Sequence, residues 1–456
     1  MKGQEKYYMK LKTLSITKLY GAYDYEVDFN SDITFLYGTN GCGKTTILNI
    51  TEAIITGMLF KLFEYDFNNI TLEYYKTKAE EDVKRIDITK NRTKILSVLY
   101  EDQEYKLEQV RFDSDDNIVE ITQKYFKKYS FLQKIHHSFN YVYLPLNRAM
   151  NYGNSYEMYD DDINYRMFSR QFHYRYMNDF EEDYVFSSKD HNIYQIERLI
   201  YYKYNSANAE IRKIENNFRS EVFQSLLKFD SNSSIQDIIE KMSLSEILRI
   251  TPQKITEVKK QYIAILRELT SNDTDIRSCE SFFEQFKNDI KMKSITPDFL
   301  FRYKDFLRIK QTVTLSEQTR KAKEKVMLSF RLFVETMNSF ISQADDGKEF
   351  MISPDGKIGF KTHFSKKMIG AQNLSSGEKQ LLIFFANLIF GVNSKQTGIF
   401  VVDEPELSLH LSWQKIFVEK TMNINPNIQL IFATHSPEFV GKYRNRMYKL
   451  EKKYSN

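Results

Sequence analysis

The sequence predicts an α/β fold in which the two ends of the chain build one head and a large helical insertion separates them. Both terminal stretches alternate short apolar runs with amphipathic segments, the pattern of strands and helices taken in turn. From about Asn151 to Ala344 the apolar spacing becomes helical, as in Ile211, Ile214, Phe218, Val222 and Leu226. A glycine-rich turn, Gly38 to Thr45, follows the first continuous apolar run. At 456 residues, 42% apolar and 28% charged, the chain has the length and composition for such a layout.

Taken in order, Met9 to Phe29 alternates in the manner of edge strands, with Tyr25, Val27 and Phe29 on one face. Ile33 to Tyr37 reads as a buried strand feeding a loop, and Ile47 to Leu62 as a helix. Tyr141 to Phe180 is rich in Tyr, Asn, Met and Arg and holds Asp160, Asp161 and Asp162, a composition suited to an irregular segment. The first boundary falls there, which gives an N-terminal lobe over 1–150, a helical insertion over 151–345 and a C-terminal lobe over 346–456. Within the insertion Val326, Phe330, Phe333, Met337 and Ile341 form a second stripe, read either as bundle core or as an arm that meets a partner. Beyond it, Pro354, Asp355 and Gly356 supply a turn between Phe350 and Phe360. A buried helix over Leu381–Phe390, a strand ending at Asp403, a helix around Trp413 and a strand over Ile428–Ala433 complete the second lobe.

Charge and cysteine content narrow the function classes. The 65 basic and 61 acidic residues leave a net charge of +4, so no global cationic field for nucleic acid exists, although a local basic groove stays open. Two cysteines, Cys42 and Cys279, make no disulfide framework and fit a reducing cytoplasm. No apolar run approaches the roughly 20 residues of a membrane span, so no membrane partner is expected.

Four motifs carry chemistry. Gly38 to Thr45, GTNGCGKT, fits G-x(4)-G-K-[ST] between a strand and a helix. Such glycines let successive N–H groups face phosphate oxygens at a helix N-terminus. Gly38, Asn40, Gly41, Gly43, Lys44, Thr45 and Thr46 are the candidate phosphate-binding residues, with Lys44 reaching the outer phosphates of ATP and the Thr45 hydroxyl meeting Mg²⁺. Ile399 to Pro405, IFVVDEP, is an apolar strand delivering two carboxylates: Asp403 for the Mg²⁺ shell and Glu404 to deprotonate the attacking water. Leu374 to Gln380, LSSGEKQ, opens a helix where Ser375, Ser376, Gly377 and Glu378 are further nucleotide-binding candidates. A plain S-x-x-E helix cap is the competing reading. Ile431 to Pro437, IFATHSP, presents Thr434 and His435 at a strand end, and His435 joins Glu404 and Lys44 as a catalytic candidate.

In this order the motifs resemble the ABC ATPase superfamily: its Walker A, signature, Walker B and switch histidine. The resemblance implies an ABC-type P-loop head, ATP and Mg²⁺ as ligands, and head-to-head homo-oligomers in which Lys44 of one head and Ser376 of another hold the same ATP. It also implies a glutamine loop, for which Gln103, Gln109, Gln123 and Gln133 all stand open, and an adenine-stacking aromatic, for which Tyr20 or Tyr23 competes with core packing.

The signature begins 330 positions after Lys44, unlike the compact heads of transporters, and the long heptad arrays and CxxC hook of SMC-like repair ATPases are missing. DEPELSLHLSWQ, Asp403 to Gln414, with YVYLPLNR, Tyr141 to Arg148, resembles the overcoming-lysogenisation-defect-like clade of bacterial anti-phage systems. The resemblance covers 1–150 and 346–456. Only 21 residues follow His435, so a fused nuclease is not expected, and Arg166 with His173 is read as chance. In size and layout the chain resembles the ATPases of the PARIS and Septu systems, which implies a separate effector, a TOPRIM or HNH nuclease, and a phage-encoded trigger. The alternative is a RecF-like or SMC-like repair ATPase that clamps DNA under ATP.

Overall fold

A computed structural model describes residues 9–76, 81–90, 94–109, 118–139, 141–145, 191–227, 250–269, 273–292, 296–342, 347–391, 398–406 and 409–455. The chain forms two compact units, one of 1–203 with 332–456 and the other of 204–331. The boundary expected near Asn151, the acidic triplet from Asp160 and the pair Arg166 and His173 lie outside the described residues.

The first unit is an α/β head drawn from both ends of the chain, as expected. Its central sheet is parallel and takes five strands: β3 (Ile33–Tyr37), β8 (Tyr141–Pro145), β12 (Ile399–Asp403), β13 (Gln429–Ala433) and β14 (Met447–Lys449), in the order β14-β3-β13-β12-β8. A parallel strand covered on both faces has no polar side to show, hence the near-continuous apolar runs of β3, interrupted only by buried Thr34, and of β12 up to Asp403. Ile399, Val401, Ile431 and Ala433 face a core shared with α1 (Lys44–Ile55). Of the intervening residues, Phe400 and Phe432 meet an aromatic layer in which Phe384 lies 5.8 Å from Phe400, and Phe417 6.2 Å from Phe432.

A second, antiparallel sheet contains β1 (Lys10–Leu19), β2 (Tyr23–Asp28), β4 (Asn69–Tyr75), β5 (Val83–Lys90), β6 (Ile95–Tyr100), β7 (Gln103–Glu108) and β15 (Lys453–Tyr454), in the order β15-β2-β1-β4-β5-β6-β7. Tyr25, Val27 and Phe29 share a buried face, as the alternation predicts, but β1 is an interior strand paired with β2 and β4, not an edge. Gln429 of β13 ties the two sheets together. Its amide, fully buried, accepts from Leu11 N–H at 2.7 Å and donates to Leu11 O and Asn30 O, each at 2.8 Å.

The helix predicted over Ile47–Leu62 stops at Ile55. Gly57 turns the chain at φ +71°, where a Cβ would stand 2.4 Å from Leu132 O, and a 3₁₀ turn over Leu59–Glu64 follows. That close approach seats α3 (Ser130–Ser138), preceded by α2 (Ile118–Lys128), against the end of α1. The hairpin foreseen around Pro354 is present as β9 (Glu349–Ile352) and β10 (Ile358–Thr362), and β11 (Ser365–Gly370) extends it to three strands.

Four helices carry the middle of the chain: α4 (His191–Leu227), α5 (Pro252–Leu269), α6 (Asp273–Met292) and α7 (Pro297–Ile341). Inside the second unit Ile255, Phe283, Phe286, Phe299, Tyr303 and Phe306 make a core of their own. The Phe286 ring stacks on Phe299 at 5.8 Å and on Phe306 at 4.7 Å. Of the two stripes read as core or arm, Phe330, Phe333, Met337 and Ile341 are buried, whereas Ile211, Ile214, Phe218 and Val222 are half-buried. Among the described residues no helix is long and apolar enough to cross a membrane.

Candidate functional site

The site gathers at one end of the parallel sheet, where β3, β12 and β13 deliver their C-terminal residues. Open α/β sheets bind ligands at this end because the loops there turn into helices whose N-termini face the gap. The first loop runs from Gly38 to Gly43. Gly41 at φ +78° and Gly43 at φ +105° curl it, and a Cβ on Gly43 would stand 2.9 Å from the Tyr25 hydroxyl. Tyr25 lies buried beneath the loop and donates to Cys42 O at 3.0 Å. Burial pushes its hydroxyl up to about 12, so it stays a donor.

Helix α1 opens at Lys44 with no side-chain cap and no acidic residue in its first turn. Its first N–H groups therefore stay available to an anion. Lys44 is buried, and its Nζ donates to Gly38 O at 3.1 Å, with Thr39 O at 3.5 Å and Cys42 Sγ at 4.0 Å. An ammonium held by carbonyls of the loop it serves is ready to exchange them for phosphate oxygens. Asn40 and Gly41 are exposed on the loop, and Thr45 and Thr46 are half-buried at the helix start.

Thr45 Oγ1 donates to Asp403 Oδ2 at 3.0 Å, which joins the first loop to the tip of β12. A hydroxyl and a carboxylate side by side are hard oxygen donors of the kind Mg²⁺ takes when phosphates complete its shell. The residues present therefore fit MgATP: an uncapped helix start, a lysine in reach and a two-oxygen donor pair. One residue on, Glu404 adopts φ +50°, uncommon for a residue with a Cβ, and its N–H donates to Ala433 O at 2.8 Å. His435, exposed at the end of β13, places Nε2 3.7 Å from Glu404 Oε1.

Reading the sequence missed Glu406. Its Oε1 accepts from Thr434 Oγ1 at 2.8 Å and from His435 N–H at 2.6 Å. The signal available was the second acid in DEPE, but which groups it meets depends on β13 lying beside β12. Tyr25 was placed on one face with Val27 and Phe29, yet its burial under the loop was not foreseen. Of the adenine candidates, Tyr20 is exposed, while Tyr23 packs 5.5 Å from Tyr454 with Lys452 Nζ 4.7 Å from its ring. Gln103 lies in β7, Gln109 just past it with its N–H on Lys94 O at 3.0 Å, and Gln123 and Gln133 on α2 and α3, with no geometry that selects a glutamine loop.

The signature segment starts α8 (Ser376–Ala386). The capping box that competed with anion binding is formed: Ser375 N–H donates to Glu378 Oε2 at 2.7 Å, and Glu378 N–H to Ser375 Oγ at 3.4 Å. Glu378 is buried, with Lys348 Nζ 3.2 Å from its other oxygen. Its carboxylate is thus neutralised inside the head, whereas Ser375 and Ser376 lie exposed on the surface and Gly377 is buried.

Compared with known proteins, the chain matches the family described as "AAA ATPase domain" over residues 9–440. It is 26% identical over 188 residues to the retron Vc95 probable ATPase of Vibrio cholerae serotype O1 biovar El Tor, covering 39% of this chain and 34% of that protein. It is 29% identical over 148 residues to the retron Ec83 probable ATPase of Escherichia coli, covering 27% of each. The match thus spans about a third or less of these relatives. Among solved structures, the Smc head domain of Pyrococcus furiosus, with an extended coiled coil and bound to the C-terminal domain of ScpA, aligns over 98% of this chain and 96% of that one. It does so at 13% identity and a TM-score of 0.39.

Proposed function

Because this chain belongs to the AAA ATPase domain family, we propose that it binds and hydrolyses ATP as the sensor and scaffold subunit of an anti-phage defence complex, cytoplasmic in location. The observation that carries the ATPase part is the convergence of Lys44, Thr45, Asp403, Glu404 and His435 at one end of one sheet. In this reading the loop N–H groups and Lys44 bind the phosphates, and Thr45 and Asp403 hold Mg²⁺. Bound there, the ion would neutralise charge developing on the phosphate oxygens. Glu404 takes the proton of the attacking water as its oxygen bonds to the γ-phosphorus and the bond to ADP breaks, while His435 orients the γ-phosphate from beside it. Ser375, Ser376 and Gly377 of a second head would close the site, so ATP joins two copies.

The defence setting is supported by the DEPELSLHLSWQ text and by the similarity to the retron ATPases. The partners in this reading are a nuclease effector, of the TOPRIM or HNH kind met with PARIS or Septu ATPases, and a phage protein that triggers its release.

The test is light scattering with and without MgATP on wild type, Lys44→Ala and Glu404→Gln. Glu404→Gln should trap an ATP-bound dimer or higher oligomer and hydrolyse about 100-fold slower, whereas Lys44→Ala should show neither binding nor ATP-driven assembly. Wild-type turnover in Glu404→Gln rejects the base, and identical mass with and without ATP in all three rejects the shared site. DNA binding that weakens with salt and strengthens with ATP would favour the DNA-clamp alternative instead.

A further inference from the structure

Glu406 stands two residues beyond Glu404 and is half-buried under the loop that carries His435. One oxygen, Oε1, takes both the Thr434 hydroxyl and the His435 N–H. The other, Oε2, is buried with no hydrogen-bond partner among the described residues. For stability alone this is a poor use of a carboxylate, since a buried acceptor left without a donor costs more than a neutral side chain in its place. The first oxygen, by contrast, is engaged twice at the loop of His435.

What it holds is a closed circuit of hydrogen bonds. Thr434 Oγ1 accepts from Ser436 N–H at 3.0 Å, and the Ser436 hydroxyl donates to Gln414 Oε1 at 2.8 Å. Gln414 Nε2 in turn donates to Leu409 O at 3.0 Å and to Glu406 O at 3.3 Å. The backbone on either side of His435 is thereby pinned to the residues just past Glu404. The His435 side chain is 36% exposed, so it takes its position largely from that backbone.

We infer that Glu406 is a positioning residue for the hydrolytic step: through Thr434 and the His435 N–H it holds the His435 imidazole beside Glu404. The inference rests on the ATPase reading of the site. It assigns no contact between Glu406 and the nucleotide, so the residue should act on turnover and leave ATP binding alone.

The experiment compares wild type with Glu406→Ala, Glu406→Gln, His435→Ala and the Glu406→Ala/His435→Ala double variant in the full chain. Turnover, ATP dissociation constant and thermal midpoint are measured for each. Glu406→Ala should lower kcat roughly 10- to 100-fold, as sub-ångström to ångström misplacement of a catalytic group does, with ATP affinity within about 2-fold of wild type. Glu406→Gln, whose amide oxygen accepts the same two bonds, should lose no more than about 3-fold. In the double variant the loss should match that of His435→Ala, because two residues acting as one unit are non-additive.

Losses that multiply in the double variant, or wild-type kcat in Glu406→Ala beside a slow His435→Ala, overturn the inference while the ATPase reading stands. Wild-type kcat in His435→Ala itself rejects the role of that histidine and the inference with it. Should Glu406→Ala not fold, Glu406→Asp keeps the charge but shortens the reach: reduced kcat at unchanged ATP affinity supports the inference, and unchanged kcat overturns it.

Discussion

The Thr45 hydroxyl donates to Asp403 at 3.0 Å across 358 positions of sequence, and this bond is where the two lobes of the head meet at the proposed Mg²⁺ position. Neither residue supplies the pair alone. Thr45 is set by the helix that the glycine loop begins, and Asp403 by the last residue of β12, in register with Ala433 of β13 and Pro145 of β8.

From this pair follows a graded metal dependence. Thr45→Ala and Asp403→Asn should each raise the Mg²⁺ concentration needed for tight ATP binding by about 10-fold or more, while Thr45→Ser, which keeps the hydroxyl, should stay near wild type. Titrating Mg²⁺ against binding of a fluorescent ATP analogue measures this. An unchanged midpoint in Asp403→Asn would remove that residue from the metal shell.

Gln429 lends itself to a stability test remote from the site. Gln429→Leu keeps the volume but removes the partner of the N–H and C=O of fully buried Leu11 and of the C=O of half-buried Asn30. The expected loss is about 3 kcal/mol in urea unfolding. A change within about 0.5 kcal/mol, the range of inconsequential surface substitutions, would mean that the two sheets are joined by packing alone.

His136 predicts a pH dependence. Its Nδ1 donates to Thr56 O at 3.0 Å and its ring lies 5.5 Å from that of Phe126; burial, with the neighbouring His137 adding to it, holds its pKa below the ordinary 6.5. The unfolded chain therefore binds a proton near pH 6.5 that the folded one resists. The stability this histidine supplies is present above that pH and is lost as the pH falls below it, with a slope of at most about 1.4 kcal/mol per pH unit. Unfolding midpoints between pH 7 and pH 5 should fall less steeply in His136→Asn than in wild type; parallel curves would contradict the assignment.

Much of the head could be read from the sequence because its decisive pieces are local. Strands β3, β12 and β13 are mostly apolar runs with no polar alternation, and a tightly curled loop announces itself by Gly38, Gly41 and Gly43. What could not be read depends on neighbours distant in sequence. The α1 helix was drawn too long because the constraint that ends it, Leu132 O against Gly57, belongs to another helix. Strands β4 to β7 went unrecognised, although Ile70, Leu72, Ile86, Ile88, Leu96 and Val98 alternate cleanly, because short strands with polar outer faces blend into loop-like composition. Glu406 went unremarked because its contacts with Thr434 and His435 exist only once β13 lies beside β12.

The strand order β14-β3-β13 has a consequence for how the protein is made. Strand β3 is flanked on both sides by strands that come far later in the sequence, and pairs with Leu430–Ala433 and Met447–Lys449. Its backbone N–H and C=O groups on both edges, and its mostly apolar side chains, stay without these partners while the whole middle of the chain is translated. At typical rates of about 5–20 residues per second that wait is of the order of tens of seconds. An unpaired apolar strand of this kind is exposed to aggregation, whereas the core of the second unit is made of contacts local to α5, α6 and α7. The strand order thus sets how long β3 waits for its neighbours.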